Sequence, residues 1–150
     1  MSLLDILTED VIAVPLVSRD KNGAIMELIK LLKKSGQISN EDEAYDAIMM
    51  REDKGSTGLE KGIAVPHAKT AAVNKIAAAI GISTEGIEFG SIDGNPSKLI
   101  FLIIAPPAQS GTHVALLSEI ARLTQYPTLC DELVEAKSPE SVISILQGEE

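Results

Sequence analysis

Gly55-Ser56-Thr57-Gly58-Leu59-Glu60-Lys61-Gly62-Ile63-Ala64-Val65-Pro66-His67-Ala68-Lys69 is the stretch on which the reading of this 150-residue chain turns. Its glycines let the backbone turn where a Cβ would clash, so main-chain N–H groups can crowd around one point. Ile63-Ala64-Val65 reads as a brief buried strand, too short for a helix. Pro66 closes it, because proline cannot donate to a sheet ladder. His67, one of two histidines in the chain, therefore stands at a strand end beside a loop rich in N–H and hydroxyl donors. An imidazole next to anion-binding groups suits phosphoryl chemistry.

Towards the N-terminus, Leu3, Leu4, Ile6 and Leu7 make one helical turn, and Val11-Ile12-Ala13-Val14 a first strand. Asp20 caps a helix whose Ile25, Leu28, Ile29 and Leu32 share one face; Lys33 and Lys34 favour its C-terminal dipole, and Gly36 stops it. A second helix starts at Ser39 with Asp42 in an acidic capping box, buries Ala44, Ala47 and Ile48, and runs to Arg51-Glu52.

Towards the C-terminus, Ile76 to Ile82 reads as a buried strand. The segments from Glu85 to Gly90 and from Asp93 to Pro96 read as turn-rich connections. Leu99 to Ala105 is apolar on both faces, the mark of a central strand in a covered sheet. Thr112 caps the next helix, with His113 in its first turn and Val114, Leu117, Ile120 and Ala121 on one side. Two further helices open at Pro127 and at Ser138-Pro139. The expected fold is α/β: a single domain over 1–150, with a mixed sheet flanked by helices.

A hydrophobic content of 45% is enough for a sizeable core, and 3% aromatics makes that core aliphatic. A net charge of −9 repels phosphate backbones, so no nucleic-acid partner is expected; a protein with a basic face suits this surface better. The single cysteine, Cys130, excludes an internal disulfide framework and fits a reducing cytoplasm. No apolar run reaches the roughly 18–20 residues of a membrane span, and no signal peptide is visible. A soluble cytoplasmic protein without membrane insertion is expected.

Two histidines and one distant cysteine make a poor metal site, so no metal and no cofactor are expected. Cys130 lies in a helical pattern with no histidine nearby in sequence and reads as a small buried hydrophobe. Taken from the residues alone, His113 is a solvated or locally bonded histidine, and Arg51 and Lys54 are solvated helix-end cations. A transferable phosphoryl group needs an acceptor that attacks at neutral pH and leaves easily. Imidazole, about three-quarters neutral at pH 7, meets both needs. A lysine would have to be depressed by roughly 4.6 kcal/mol to be half neutral there. Ser56, Thr57, Gly58 and Arg51 could supply donors to the equatorial oxygens.

Thr57-Gly58-Leu59, Gly62-Ile63-Ala64-Val65-Pro66-His67 and a downstream Thr112-His113 helix start, together with Arg51-Glu52 and the strand from Phe101 to Ala105, carry a resemblance. The chain resembles, over nearly its whole length, the fructose/mannitol-type (type-2) IIA components of the bacterial phosphoenolpyruvate:sugar phosphotransferase system, including the nitrogen-regulatory IIA proteins. The resemblance implies a mixed sheet of about five strands. It implies that His67 is phosphorylated on Nε2, that His113 stabilises the phosphoryl group, and that Arg51 is the motif arginine. It implies an HPr-type phosphohistidine donor, and a IIB component or a regulatory target protein as recipient; a homodimer is left open. Lys61 stands where mannitol-type members commonly carry an acid, which points to the fructose or nitrogen-regulatory branch. Ala68 stands where many members have glycine.

The competing reading is a non-catalytic module of the same fold that binds a partner or an anion. It is discriminated by whether the two imidazoles meet at a solvent-accessible cleft.

Overall fold

A run apolar at every position, such as Leu99 to Ala105, is stable only where both faces of a sheet are covered. The computed structural model, which describes residues 2–148, puts that run at the heart of the molecule. In chain order the elements are α1 (Leu3–Ile6), β1 (Ile12–Ala13), α2 (Lys21–Lys34), α3 (Glu41–Asp53), β2 (Ile63–Ala64), β3 (His67–Lys69), β4 (Ala77–Ile87), β5 (Ser97–Ala105), α4 (Ser110–Leu123), α5 (Pro127–Glu135) and α6 (Pro139–Gly148). They form one five-stranded mixed sheet in the order β1-β4-β5-β2, with β3 also paired to β5. β4 and β5 run antiparallel; the other pairings are parallel. Every residue of β5 except Lys98 is buried, so helices cover both faces. No helix among the described residues is long and apolar enough to cross a membrane.

The helix starts follow local chemistry. The Asp20 carboxylate accepts from Gly23 N at 2.6 Å, and Gly36 leaves α2 with a left-handed φ of 83°. α3 is capped by Asn40, whose side chain accepts from Glu43 N at 3.0 Å, and not by Ser39. The Ser39 hydroxyl instead donates to the carbonyl of Ala72. Pro139 opens α6, with Ser141 N donating to the Ser138 hydroxyl.

Three further expectations are corrected. The first strand is only Ile12–Ala13, because Glu9–Val11 turns as a 3-10 helix. The segment at Glu85-Gly86-Ile87, expected as a turn, continues β4: its register shifts between Ile82 and Ile87, a stretch that contains Gly86 with a φ of 87°. α4 starts at Ser110, directly after a 3-10 turn at Pro107–Gln109, so Thr112 is not its cap. The inward face is therefore His113, Leu116, Ile120 and Leu123, while Val114 is 60% exposed. That offset turns His113 into the protein.

Candidate active site

The edge of the sheet beside β5 is one strand broken in the middle. β2 pairs Ile63 with Leu99, and β3 pairs His67 with Ile103, so both keep the same register across a gap of two residues, Val65 and Pro66. Pro66 lies in the gap and still accepts from Ile103 N at 3.0 Å, although it has no N–H to give. The proline interrupts the strand without ending it, and His67 opens the resumed part. Val65 N turns away from β5 and donates to the carbonyl of Thr57 at 3.0 Å. The glycine loop thereby covers the exposed edge, helped by Leu59 N donating to Ile63 O at 2.7 Å.

The same turn aims the carbonyl of Val65 at the ring of His67. Nδ1 lies 2.7 Å from that oxygen. A carbonyl only accepts, so Nδ1 carries the proton and Nε2 of the neutral ring keeps its lone pair. His67 is half-buried, not sealed. It lines an open cavity of about 200 Å³ together with Arg51, Ser56, Thr57, Val65 and Leu117.

His113 meets it from α4, with ring centroids 5.5 Å apart and planes at 67°. The two rings converge because β3 and β5 are parallel and α4 follows the carboxyl end of β5, where open α/β sheets bind ligands. His113 is 4% exposed, and its Nε2 is buried without a hydrogen-bond partner among the described residues. The solvated histidine expected from the residues alone is thus a buried one. Burial first, then the neighbouring His67 and Lys69, lower its pKa from 6.5 to about 4.

This has a consequence for stability. Between pH 6.5 and about 4 the unfolded chain binds a proton at this residue that the folded chain refuses, so stability is lost as pH falls through that window. The expected loss is about 3 kcal/mol from pH 7 to below pH 4. Urea unfolding of wild type and His113→Gln at both pH values checks it, with the variant expected to lose about that much less.

The loop donors anticipated for an anion are engaged within the protein. Ser56 Oγ donates to the carbonyl of Phe89 and accepts from Gly58 N at 2.9 Å. Thr57 is 3% exposed, and both its N–H and its hydroxyl donate to the carboxylate of Glu52. Arg51 donates from Nη1 to the carbonyl of Gly55 at 2.7 Å, and its other guanidinium N–H groups remain for the cavity. Gly58 acts by lacking a side chain: a Cβ there would stand 3.0 Å from Phe89 Cβ and 3.1 Å from Ser91 Cα. Gly58→Ala is expected to destabilise the fold by about 1–3 kcal/mol, read as a lowered urea midpoint with unchanged m-value.

Two residues near the site escaped the sequence reading. Lys69 falls on the same strand face as His67 by the alternation of β3, and it is exposed. Glu52, at the end of α3, is 7% exposed and bonded to Lys21 Nζ at 2.6 Å. Among the described residues, no group of three or more His, Cys, Asp or Glu side chains is placed to hold a metal ion.

The chain matches over residues 5–149 the family model described as "Phosphoenolpyruvate-dependent sugar phosphotransferase system, EIIA 2". It is 36% identical over 146 residues to the fructose-specific EIIABC component of Bacillus subtilis, covering 97% of this chain and 23% of that one. It is 39% identical over 126 residues to the fructose-specific EIIA component of Haloferax volcanii, covering 84% of this chain and 82% of that one. The crystal structure of nitrogen regulatory protein IIA-Ntr from Neisseria meningitidis superposes with a TM-score of 0.87 at 29% identity, covering 96% of this chain and 98% of that one. The chain thus spans most of some relatives and about a quarter of another. A broken edge strand presenting one histidine to a second, in a chain matched almost end to end, leaves one assignment: the protein belongs to the type-2 EIIA family of phosphocarriers of the phosphoenolpyruvate-dependent phosphotransferase system.

Proposed function

We propose that the protein carries the phosphoryl group on Nε2 of His67, receiving it from the phosphohistidine of an HPr-type protein. The observation that carries this reading is the hydrogen bond from Nδ1 to the Val65 carbonyl. It leaves Nε2 as the nucleophile on a ring that lines an open cavity. In the transfer, the donor's N–P bond breaks as the Nε2 lone pair forms the new one, and the donor ring keeps its electron pair. The His67 ring becomes cationic, its Nδ1–H still held by a carbonyl dipole that favours that charge. Arg51 neutralises charge on the equatorial oxygens and His113 hydrogen-bonds them, while Ser56, Thr57 and Gly58 shape the loop that holds Arg51 and Val65 in place.

The phosphoryl group then passes to a IIB component or serves as a signal read by a regulatory target. A fructose relay is supported by the two fructose-specific relatives, and a regulatory role by the likeness to a nitrogen regulatory protein. A cytoplasmic location and a single domain over residues 1–150 fit either role. Against the non-catalytic alternative stand the open cavity at His67 and the 5.5 Å approach of the second ring, although His113, 4% exposed, does not itself line that cavity. Incubation with phosphoenolpyruvate, enzyme I and HPr tests the proposal: an acid-labile, base-stable adduct supports it, and no adduct refutes it. Restoration of fructose uptake by the isolated chain in a host lacking this component would select the relay.

A further inference from the structure

Glu52 is the buried titratable group that the transfer so far leaves unused. It follows Arg51 at the end of α3, and the two side chains secure different parts of the same loop. Arg51 takes the carbonyl of Gly55, whereas Glu52 turns inward to the N–H and hydroxyl of Thr57 and to Lys21 Nζ. Its carboxylate therefore has three donors, and an acid buried this deeply is retained only when so compensated. Lys21 is held in turn, with Nζ 5.4 Å above the ring of Phe89.

From Glu52 a series of three hydrogen bonds, joined through the backbones of Thr57 and Val65, leads to the acceptor ring. Thr57 N donates to Glu52 Oε1 at 3.2 Å, Val65 N donates to Thr57 O at 3.0 Å, and His67 Nδ1 donates to Val65 O at 2.7 Å. Two backbone residues thus separate a fixed carboxylate from the nitrogen that sets the tautomer. We propose that Glu52 is a positioning residue for phosphoryl acceptance: through Thr57 and Val65 it holds the His67 ring with its proton on Nδ1 and Nε2 free. This rests on the reading of His67 as the acceptor.

Gln at this position keeps the shape but presents an NH₂ group to donors already facing it, and it leaves the Lys21 ammonium unpaired. Glu52→Gln is therefore expected to lower the maximal rate of phosphorylation by phospho-HPr at least tenfold with an unchanged KM. The ¹⁵N spectrum of His67 should pass from a single Nδ1–H form to a tautomer mixture. Thr57→Val, which removes the hydroxyl contact, should lower the rate in the same way, and Thr57→Ser should restore it. These two variants also carry the test if Glu52→Gln does not fold. A wild-type rate in Glu52→Gln, a loss confined to KM, an unchanged tautomer, or equal rates for Thr57→Val and Thr57→Ser would each overturn the proposal. Phosphorylation of His67→Ala would instead sink the acceptor reading, while the tautomer measurement on unphosphorylated protein would still report on Glu52.

Discussion

His67→Ala is expected to accept no phosphoryl group from phospho-HPr, a loss of at least ~10³-fold, as follows from removing an essential nucleophile. No other group in the site can stand in. Nε2 of His113 is buried, on a ring 4% exposed, so a protein donor cannot reach it. The Thr57 hydroxyl is committed to Glu52 and the Ser56 hydroxyl to Phe89. An ester on either would survive acid, and the acid-lability of the label would reveal it. The fold should survive, because His67 is half-buried and the hydrogen bond lost with its ring is worth about 1 kcal/mol. Radiolabel transfer from phosphoenolpyruvate, with and without acid treatment, measures all of this in one gel. Wild-type labelling of the variant would remove His67 from the chemistry.

His113→Ala is expected to slow the transfer about 10²-fold while leaving a folded protein, the usual cost of deleting one preorganised donor to a developing charge. His113 is the one described residue with a buried side-chain nitrogen or oxygen lacking a partner, and its ring centre lies 5.5 Å from that of His67. Leaving a buried polar group unsatisfied ordinarily costs about 1–3 kcal/mol, so a ligand atom that completes it is favoured. In the free protein the ring is neutral, since its pKa is lowered to about 4 by burial, His67 and Lys69. A phosphoryl dianion on His67 works against that shift and draws a proton or hydrogen bond from His113. Stopped-flow rates with phospho-HPr, alongside a circular dichroism melt, separate slowed transfer from lost structure. An unchanged rate would make His113 a packing residue.

Much of this architecture could be read from the residues because local chemistry and burial agree there. β5 is apolar on both faces, and it is central. Asp20 caps α2 as its position implies, and Pro139 opens α6. His67 stands out by its glycine loop and proline, and it lines the open cavity. The features that stayed hidden are those decided by partners distant in sequence. Pro66 looks like a terminator, yet β5 offers the same register on both sides of it, so the strand resumes. Thr112 looks like a cap, but α4 starts three residues earlier, after the 3-10 turn at Pro107–Gln109, and packs with His113 on its inward face. The burial of Glu52 is not legible in the sequence because its counter-charge, Lys21, comes from the first turn of another helix. Ser56 and Thr57 look like free donors because a sequence does not show which carbonyl or carboxylate will claim a hydroxyl.

The central claim is about one atom. Protein labelled with ¹⁵N in its histidines and phosphorylated through enzyme I and HPr should show one-bond ³¹P–¹⁵N coupling to Nε2 of His67, with Nδ1 still protonated against the Val65 carbonyl. Coupling to Nδ1, or to either nitrogen of His113, would contradict the account.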